Sequence, residues 1–414
     1  MDKRLVLILG LIVISTSAFA TKARLLALGE TETGGSLYFS DNRNMFLNAA
    51  YINEYKDFMT LEFGGEGQTG TKKDSDKQPY AEGGLFKSFG NFVGGIYFGG
   101  ESVATYEARQ YLRLADVTSP KIHQDNQIDA FIGGDAGIKW GVNLTYSNTN
   151  DDSNDMKQKS LSTRWGIIAD NFEAFANVAL LNKAEADAIG AVGTDEFKGK
   201  LGYELGGNYN LGDDYKAFAY WRHAGFETDT VSPAVITTQL PPQIGPAYSG
   251  NAKFNTNKYR FGGGRDLVLN SKARLLTKIE YVMNTRKVET KDGDADLKDY
   301  SIPLTVALEY DANSWLTLRG SVYQSLYGKQ NNDYDTSLLP NINPAVLSDL
   351  KPKKRDLNNT TNINAGASLK FGNLAFDGLI GTGTDAGGTT DSKSEQGFIT
   401  LDNLMTRVAM TYRF

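Results

Sequence analysis

The chain ends Leu404-Met405-Thr406-Arg407-Val408-Ala409-Met410-Thr411-Tyr412-Arg413-Phe414. Taken two residues at a time, Leu404, Thr406, Val408, Met410, Tyr412 and Phe414 fall on one face, and Met405, Arg407, Ala409, Thr411 and Arg413 on the other. A period of two is that of a β-strand, whose successive side chains point to opposite sides. One face is mostly greasy and the other carries both charges, so the segment predicts a strand between an apolar environment and a wet one.

Working upstream, the same alternation recurs. Ile363, Ala365, Ala367, Leu369 and Phe371 oppose Asn362, Asn364, Ser368 and Lys370. Ile302, Leu304, Val306, Leu308 and Tyr310 oppose Thr305 and Glu309. Leu275, Thr277, Ile279 and Tyr281 oppose Arg274, Lys278 and Glu280. Leu201, Tyr203, Leu205 and Tyr209 oppose Lys198, Lys200 and Glu204, and Trp140, Val142, Leu144 and Tyr146 oppose Lys139, Asn143 and Thr145. From 57–64 to 398–414, sixteen such segments are predicted. Short turns at Gly90, Gly134-Asp135, Asn171, Leu211 to Asp213, Arg265 to Ser271, Asp311 to Ser314 and Gly372 alternate with mostly long polar connections. Even parity, with short turns at one rim and long loops at the other, predicts an all-β, sixteen-stranded antiparallel transmembrane β-barrel with the short turns on the periplasmic side.

A soluble sandwich also alternates. It would bury the face that holds Trp140, Tyr203, Tyr281, Tyr310 and Tyr412 and spread charge over the other. Here the second face carries isolated charges among Gly, Ser, Thr and Asn, while aromatics gather near strand ends, which fits a lipid-facing band with girdles better.

The chain opens with Lys3 and Arg4, an apolar run from Leu5 to Ile14, and Ala18-Phe19-Ala20, the form of an export signal with its cleavage site. The predicted organisation is a signal peptide over 1–20, a periplasmic or lumenal segment over 21–56, and the barrel over 57–414. Of 43 basic and 49 acidic residues, 1–20 takes Lys3, Arg4 and Asp2, which leaves the remainder with a net charge of −7. That balance disfavours nucleic acid as a partner. The absence of Cys excludes disulfides, catalytic thiols and thiolate metal sites.

Chemistry is thinly represented. Only His123 and His223 offer an imidazole, and no nucleophile stands out beside either, so two surface histidines are expected and an outer-membrane lipid hydrolase is the distant alternative. Asp292, Asp294 and Asp296 begin like a calcium loop, but Leu297 replaces the required Gly and Pro303 the bidentate Glu. Those three and the set Asp151, Asp152 and Asp155 read as solvated loops. Lys351, Lys353, Lys354 and Arg355 read as a solvated charge run, with lipopolysaccharide phosphates as the functional alternative. Val231 to Tyr248, with Pro233, Pro241, Pro242 and Pro246, is excluded from a ladder interior and reads as a latch or plug. No catalytic residue, cofactor or metal is expected.

Alternation also assigns a lumen face. Lys139, Arg164, Lys198, Lys200, Lys216, Arg222, Arg274, Lys278, Arg319, Lys370, Arg407 and Arg413 stand on it against Glu62, Asp129, Glu173, Glu204, Glu280, Glu309 and Asp377. Opposed charges lining a water-filled passage screen solutes by size and sign.

Ahead of the barrel, Ala23-Arg24-Leu25-Leu26-Ala27-Leu28-Gly29 and Asp41-Asn42-Arg43-Asn44-Met45-Phe46-Leu47-Asn48-Ala49-Ala50 do not alternate, and the second reads as a short helix capped by Asp41. This opening resembles that of an Arg-x-x-Ala-Leu-Gly to Asn-x-Phe-x-Asn-Pro-Ala class of barrels, which includes the fatty-acid transporter family; here Ala49 stands in place of the proline. Phe414 resembles the terminal signature of outer-membrane barrels. With sixteen strands behind that opening, the chain resembles the porin-like major outer-membrane proteins of predatory Gram-negative bacteria. That resemblance implies a ring-shaped homo-oligomer, in some cases enclosing membrane lipid. The expected function is an outer-membrane porin passing small hydrophilic solutes passively, with membrane lipid and lipopolysaccharide as partners. The rival is a structural barrel that organises lipid or surface contacts around a narrow or plugged lumen.

Overall fold

The computed structural model describes residues 21–31, 34–63, 81–100, 127–151, 156–187, 194–212, 214–232, 248–290, 293–334, 354–356, 361–382 and 404–414. Its first strands are β1 (Phe58–Phe63), β2 (Ala81–Phe89), β3 (Phe92–Phe98), β4 (Ile128–Asp135), β5 (Lys139–Asp151) and β6 (Met156–Ile168). Then come β7 (Phe172–Asp187), β8 (Thr194–Gly199), β9 (Gly202–Asn210), β10 (Tyr215–Ser232), β11 (Tyr248–Asn270) and β12 (Ala273–Thr290). The last are β13 (Gly293–Asp311), β14 (Leu316–Tyr334), β15 (Lys354–Asp356), β16 (Thr361–Phe371), β17 (Leu374–Thr382) and β18 (Leu404–Arg413).

Each neighbour pairs antiparallel. Both β8 and β9 lie between β7 and β10, and both β15 and β16 pair with β14, so the eighteen segments form sixteen staves. β1 pairs with β2 on one side and β18 on the other, which closes the sheet. Closure leaves no open edge at the height where all the strands pair. Leu144, Leu205, Ile279, Leu308, Val322 and Tyr412 stand exposed on the outer face, and Thr145, Lys278, Glu309, Ser321 and Thr411 are buried on the inner one, in the phase the sequence predicts.

Local chemistry adjusts the predicted boundaries. The β4–β5 hairpin turns at 136–138, where Gly137 takes φ 87°, because Gly134 and Asp135 stay in the ladder opposite Trp140 and Lys139. Arg265 to Asn270 continue β11 with an irregularity between Val268 and Asn270, so that turn is only 271–272. Pro303 has no N–H to give the β13–β14 ladder, and the register slips between Ile302 and Pro303. The wall is uneven in height: β1 has 6 residues and β3 has 7, against 23 in β11 and 19 each in β13 and β14.

The described residues from Thr21 to Lys56 lie inside the barrel. They open with helix α1 (Lys22–Ala27), capped by the Thr21 hydroxyl, which accepts from the Arg24 N–H. The helix expected after Asp41 is instead two 3-10 turns, Asn42–Phe46 and Ala49–Asn53. Asp41 caps the first through the Arg43 N–H. Asn48 interrupts the run because its side chain accepts from the Ala50 N–H and donates to the Ile167 carbonyl of β6, which pins the backbone to the wall. Asp57 then takes the left-handed φ of 59° that turns the chain into β1, held there by the Ser88 N–H and hydroxyl donating to its carboxylate.

Candidate functional site: the filled lumen

The inner wall is shaped to take this N-terminal plug. Leu25, Leu28, Leu37, Tyr38 and Phe39 pack with Phe175, Phe218, Tyr220, Leu276 and Ala307 of the wall. Met45, Tyr51 and Ile52 pack with Phe58, Phe86, Val93, Tyr97 and Phe131. Inward aromatics of this kind do not suit a water-filled bore; each apolar side chain of this size is worth about 1.5–3 kcal/mol when buried. Wall glycines supply the room. A Cβ at Gly141 would collide with the Ala49 carbonyl, one at Gly166 with the Asn48 amide, and one at Gly264 with the Tyr38 ring.

Charge ties plug to wall where apolar packing stops. The Arg24 guanidinium, 1% exposed, donates to Glu309 at 2.9 and 3.1 Å and to Asp41 at 2.6 Å. Arg319 donates to Glu309 at 2.6 Å and to Asp377 at 2.8 Å, which extends the chain of pairs from β13 through β14 and past β16 to β17. Glu30 accepts from Lys278 at 3.0 Å, and Lys278 and Arg260 both pair with Glu280, at 3.1 and 2.8 Å. Arg43 donates to Glu62 at 3.0 Å and to the Tyr97 hydroxyl at 2.9 Å, and lies 4.1 Å over the Phe46 ring. Tyr51 donates to Glu173 at 2.8 Å, a carboxylate that Lys216 also holds at 3.0 Å. Buried charges persist only when paired and hydrogen-bonded in this way.

Burial shapes the ionisation of the plug. It works against the Arg24 charge, but Glu309 and Asp41 outweigh it and hold the guanidinium above the ordinary arginine value. Burial pushes the Asp41 carboxyl up to about 6, with Arg24 and the Arg43 N–H pulling the other way. Arg24 is shared with Glu309, which is why Asp41 is only partly compensated.

The residues predicted to line the lumen divide three ways. Lys278, Glu280, Glu309, Arg319, Asp377 and Lys216 belong to the ion-pair groups just described, and Arg407 borders a small cavity with Lys22, Glu62 and Glu82 beneath the plug. Arg164 donates to Asp129 at 2.7 Å, and Glu204 takes Asn177 at 2.9 Å, Tyr220 at 3.1 Å and Arg222 at 3.6 Å, all on the inner face. Nearer the short-turn rim, Lys139 pairs with Glu54, Lys370 with Asp311 at 3.0 Å, and Arg274 with Asp266.

Lys198 and Lys200, expected on the lumen face, stand on the outer side instead. The ladder breaks at Lys200 and Leu201, and the phase changes there: Gly199 opposes the inward Phe226, whereas Glu204 opposes the inward Arg222. Phe197 is therefore the buried residue of β8. Lys198 pairs with Glu196 and Lys200 with Glu227 at 2.8 Å on the outer side. A one-residue slip of this kind sends every following side chain to the other face.

Sequence reasoning missed Arg260, although Tyr259 and Phe261 flank it on the outward parity, and it missed Arg24, Glu30, Asp41 and Arg43 because they lie outside any alternating stretch. His223 is on the outer face of β10, stacked on Tyr203 at 5.1 Å with its Nδ1 2.9 Å from the Asn257 side-chain oxygen. No serine or carboxylate bonds to it among the described residues. Asp294 and Asp296 lie in β13, opposite Glu289 and Lys287, and no cluster of metal-ligating side chains occurs among the described residues. His123, Asp152, Asp155, Asp292, residues 351–353 and 233–247 lie outside the described residues.

No family model matches the chain and no curated protein matches it. Among solved structures, it is similar to the toluene transporter TbuX of Ralstonia pickettii at 12% identity and TM-score 0.40, over 97% of this chain and 100% of that one. It is also similar to the monoaromatic hydrocarbon channel CymD at 10% identity and TM-score 0.39, over 96% and 98%. A third likeness is to OmpT, an outer membrane protein of Vibrio cholerae, at 12% identity and TM-score 0.32, over 86% and 98%. The barrel itself rests on the closed pairing of this chain, and no function passes to it from likenesses so distant.

Proposed function

We propose that the chain is an outer-membrane channel for small solutes whose own N-terminal segment closes the short-turn half of the barrel. On this reading residues 1–20 direct export and are removed, the exposed apolar face meets lipid, and the short turns face the periplasm. The observation that carries it is the set of buried pairs from Arg24 to Glu309 and from Glu30 to Lys278, on the adjoining strands β13 and β12, and from Arg43 to Glu62 on β1, which seats the plug on separate parts of the wall. Passage then requires displacement of the segment from Thr21 to Lys56. A permanently open porin for hydrophilic solutes fits the geometry less well, because the charges that such a bore would present are engaged with the plug or with one another. No catalytic role is proposed.

The homo-oligomer, enclosed lipid, lipopolysaccharide contact and kinship with the barrels of predatory bacteria belong to the proposal and rest on the sequence resemblance alone. The test compares single-channel current of the mature protein in planar bilayers with that of a variant lacking residues 21–56, with oligomer mass measured in detergent. The mature protein should gate infrequently and the deletion variant should conduct steadily. If a folded deletion variant stays silent, the structural-barrel reading replaces this one.

A further inference from the structure

Beyond the plug, toward the long connections, the inner wall changes character. Two register rows cross it from β5. One runs Thr149, Gln158, Ala184, Phe197, and the other Ser147, Ser160, Asn182, Gly199, Phe226, Phe254. Neither row holds a charged side chain. Phe197 lies 5.2 Å from Phe226, which stacks on Phe254 at 4.5 Å and 15°, forming a continuous buried aromatic strip. Beside it, the Ser147 hydroxyl, the Thr149 hydroxyl and both the oxygen and the nitrogen of the Gln158 amide are buried without a hydrogen-bond partner among the described residues. Ser147 is 0% and Gln158 1% exposed.

Buried polar groups in native folds are paired, so four orphaned atoms on adjacent positions of two strands mark a place where a partner is missing. They offer two hydroxyls, an amide donor and an amide acceptor. An apolar solute would leave all four unpaired, and an ion would find no countercharge in either row. A molecule with several hydroxyls and an apolar C–H face satisfies both the polar group and the aromatic strip.

We propose that this part of the inner wall is a binding site for a small neutral polyhydroxylated solute of the saccharide class. The proposal rests on the channel reading in that the solute is one the barrel passes, but binding and passage are measured separately. The test is saturation-transfer difference NMR with D-glucose, using the mature protein in a sugar-free detergent. Heat-modifiability on gels confirms that each variant is folded. The wild type should give a saturable glucose signal, and the double variant Gln158→Leu with Thr149→Val, which keeps shape and removes three of the four polar atoms, should weaken it by about tenfold or more. Lys198→Gln, on the outer side, should leave it unchanged. A folded wild type that gives no glucose signal, or an equal signal from the double variant, overturns the site and leaves ordered water as the partner of these atoms. Toluene is the contrast probe, and a toluene signal without a glucose signal likewise overturns it. Swelling of proteoliposomes in glucose reads passage: binding without swelling in the plug-deleted protein sinks the channel reading and spares the site, and swelling without binding does the reverse.

Discussion

The half of the barrel next to the short turns and the half that runs on toward the long connections share the same strands, yet their interiors follow opposite rules. Near the short turns, nearly every inward charge is answered by another charge or by the plug, as with Arg24 between Glu309 and Asp41. Farther up, the Arg286–Asp299 pair persists on β12 and β13, but from β5 to β11 two rows hold no charge and present instead the Ser147, Thr149 and Gln158 side chains, without hydrogen-bond partners among the described residues, and the strip from Phe197 to Phe254. Both halves have the outward apolar face of a barrel, so that face says nothing about what each end holds. The contrast teaches that occupancy, not strand pattern, separates a closed end from a receptive one.

The largest effect should come from removing the charge at the centre of the plugged half. Arg24→Ala takes the guanidinium from the buried Asp41 carboxylate and leaves Glu309 to Arg319, and breaking a buried pair from one side costs about 3–5 kcal/mol. Plug docking should weaken accordingly, seen as long open dwell times in single-channel records from a barrel that remains heat-modifiable. Unchanged gating in a folded Arg24→Ala protein would falsify the gate.

Next comes the wall. Ile279→Arg places a charge on the outer face of β12, where it costs about 2–4 kcal/mol if that face meets lipid near mid-membrane. Lys278→Gln, one residue away but on the inner face, should leave the barrel fold far less affected and act on plug seating through Glu30. Equal loss of heat-modifiability in the two would mean that the faces are misassigned.

A smaller effect separates two adjacent glycines of β11. Gly264 faces the Tyr38 ring, whereas a Cβ at Gly263 comes no nearer than 3.5 Å to the Lys216 carbonyl. Gly264→Val should cost plug docking about 1–3 kcal/mol by overpacking. Gly263→Val should gate like the wild type, and protease cleavage within 21–56 compares the two directly.

The smallest effect is pH dependence. Asp41 titrates ordinarily near 3.8 and is pushed up to about 6 in the docked plug, chiefly by burial. Docking therefore favours the protonated carboxyl: that contribution is complete below about 4 and is lost as pH rises through about 6. Openings should grow more frequent from pH 5 to 7.5, and Asp41→Asn should flatten the profile. More frequent openings at the acid end would reverse the sign of the linkage.

What the sequence determined by itself was the wall. Alternation is local geometry, fixed by the backbone of each strand, and an apolar outside against a polar inside repeats it sixteen times, so strand number, rims and most facing assignments were legible. The exceptions were local too: Lys198 and Lys200 went to the wrong face because a break of two residues at Lys200 and Leu201 leaves no mark in composition, and Arg265 to Asn270 extended β11 instead of turning. Only the tertiary structure decided what fills the barrel. Arg24 and Glu309 are 285 residues apart in the chain, and the seats for Asn48 and Tyr38 are absences of side chains at Gly166 and Gly264. No periodicity encodes a contact between a segment that does not alternate and the missing Cβ atoms of distant strands, so the plug becomes visible only once closure of the sheet brings both to the same interior.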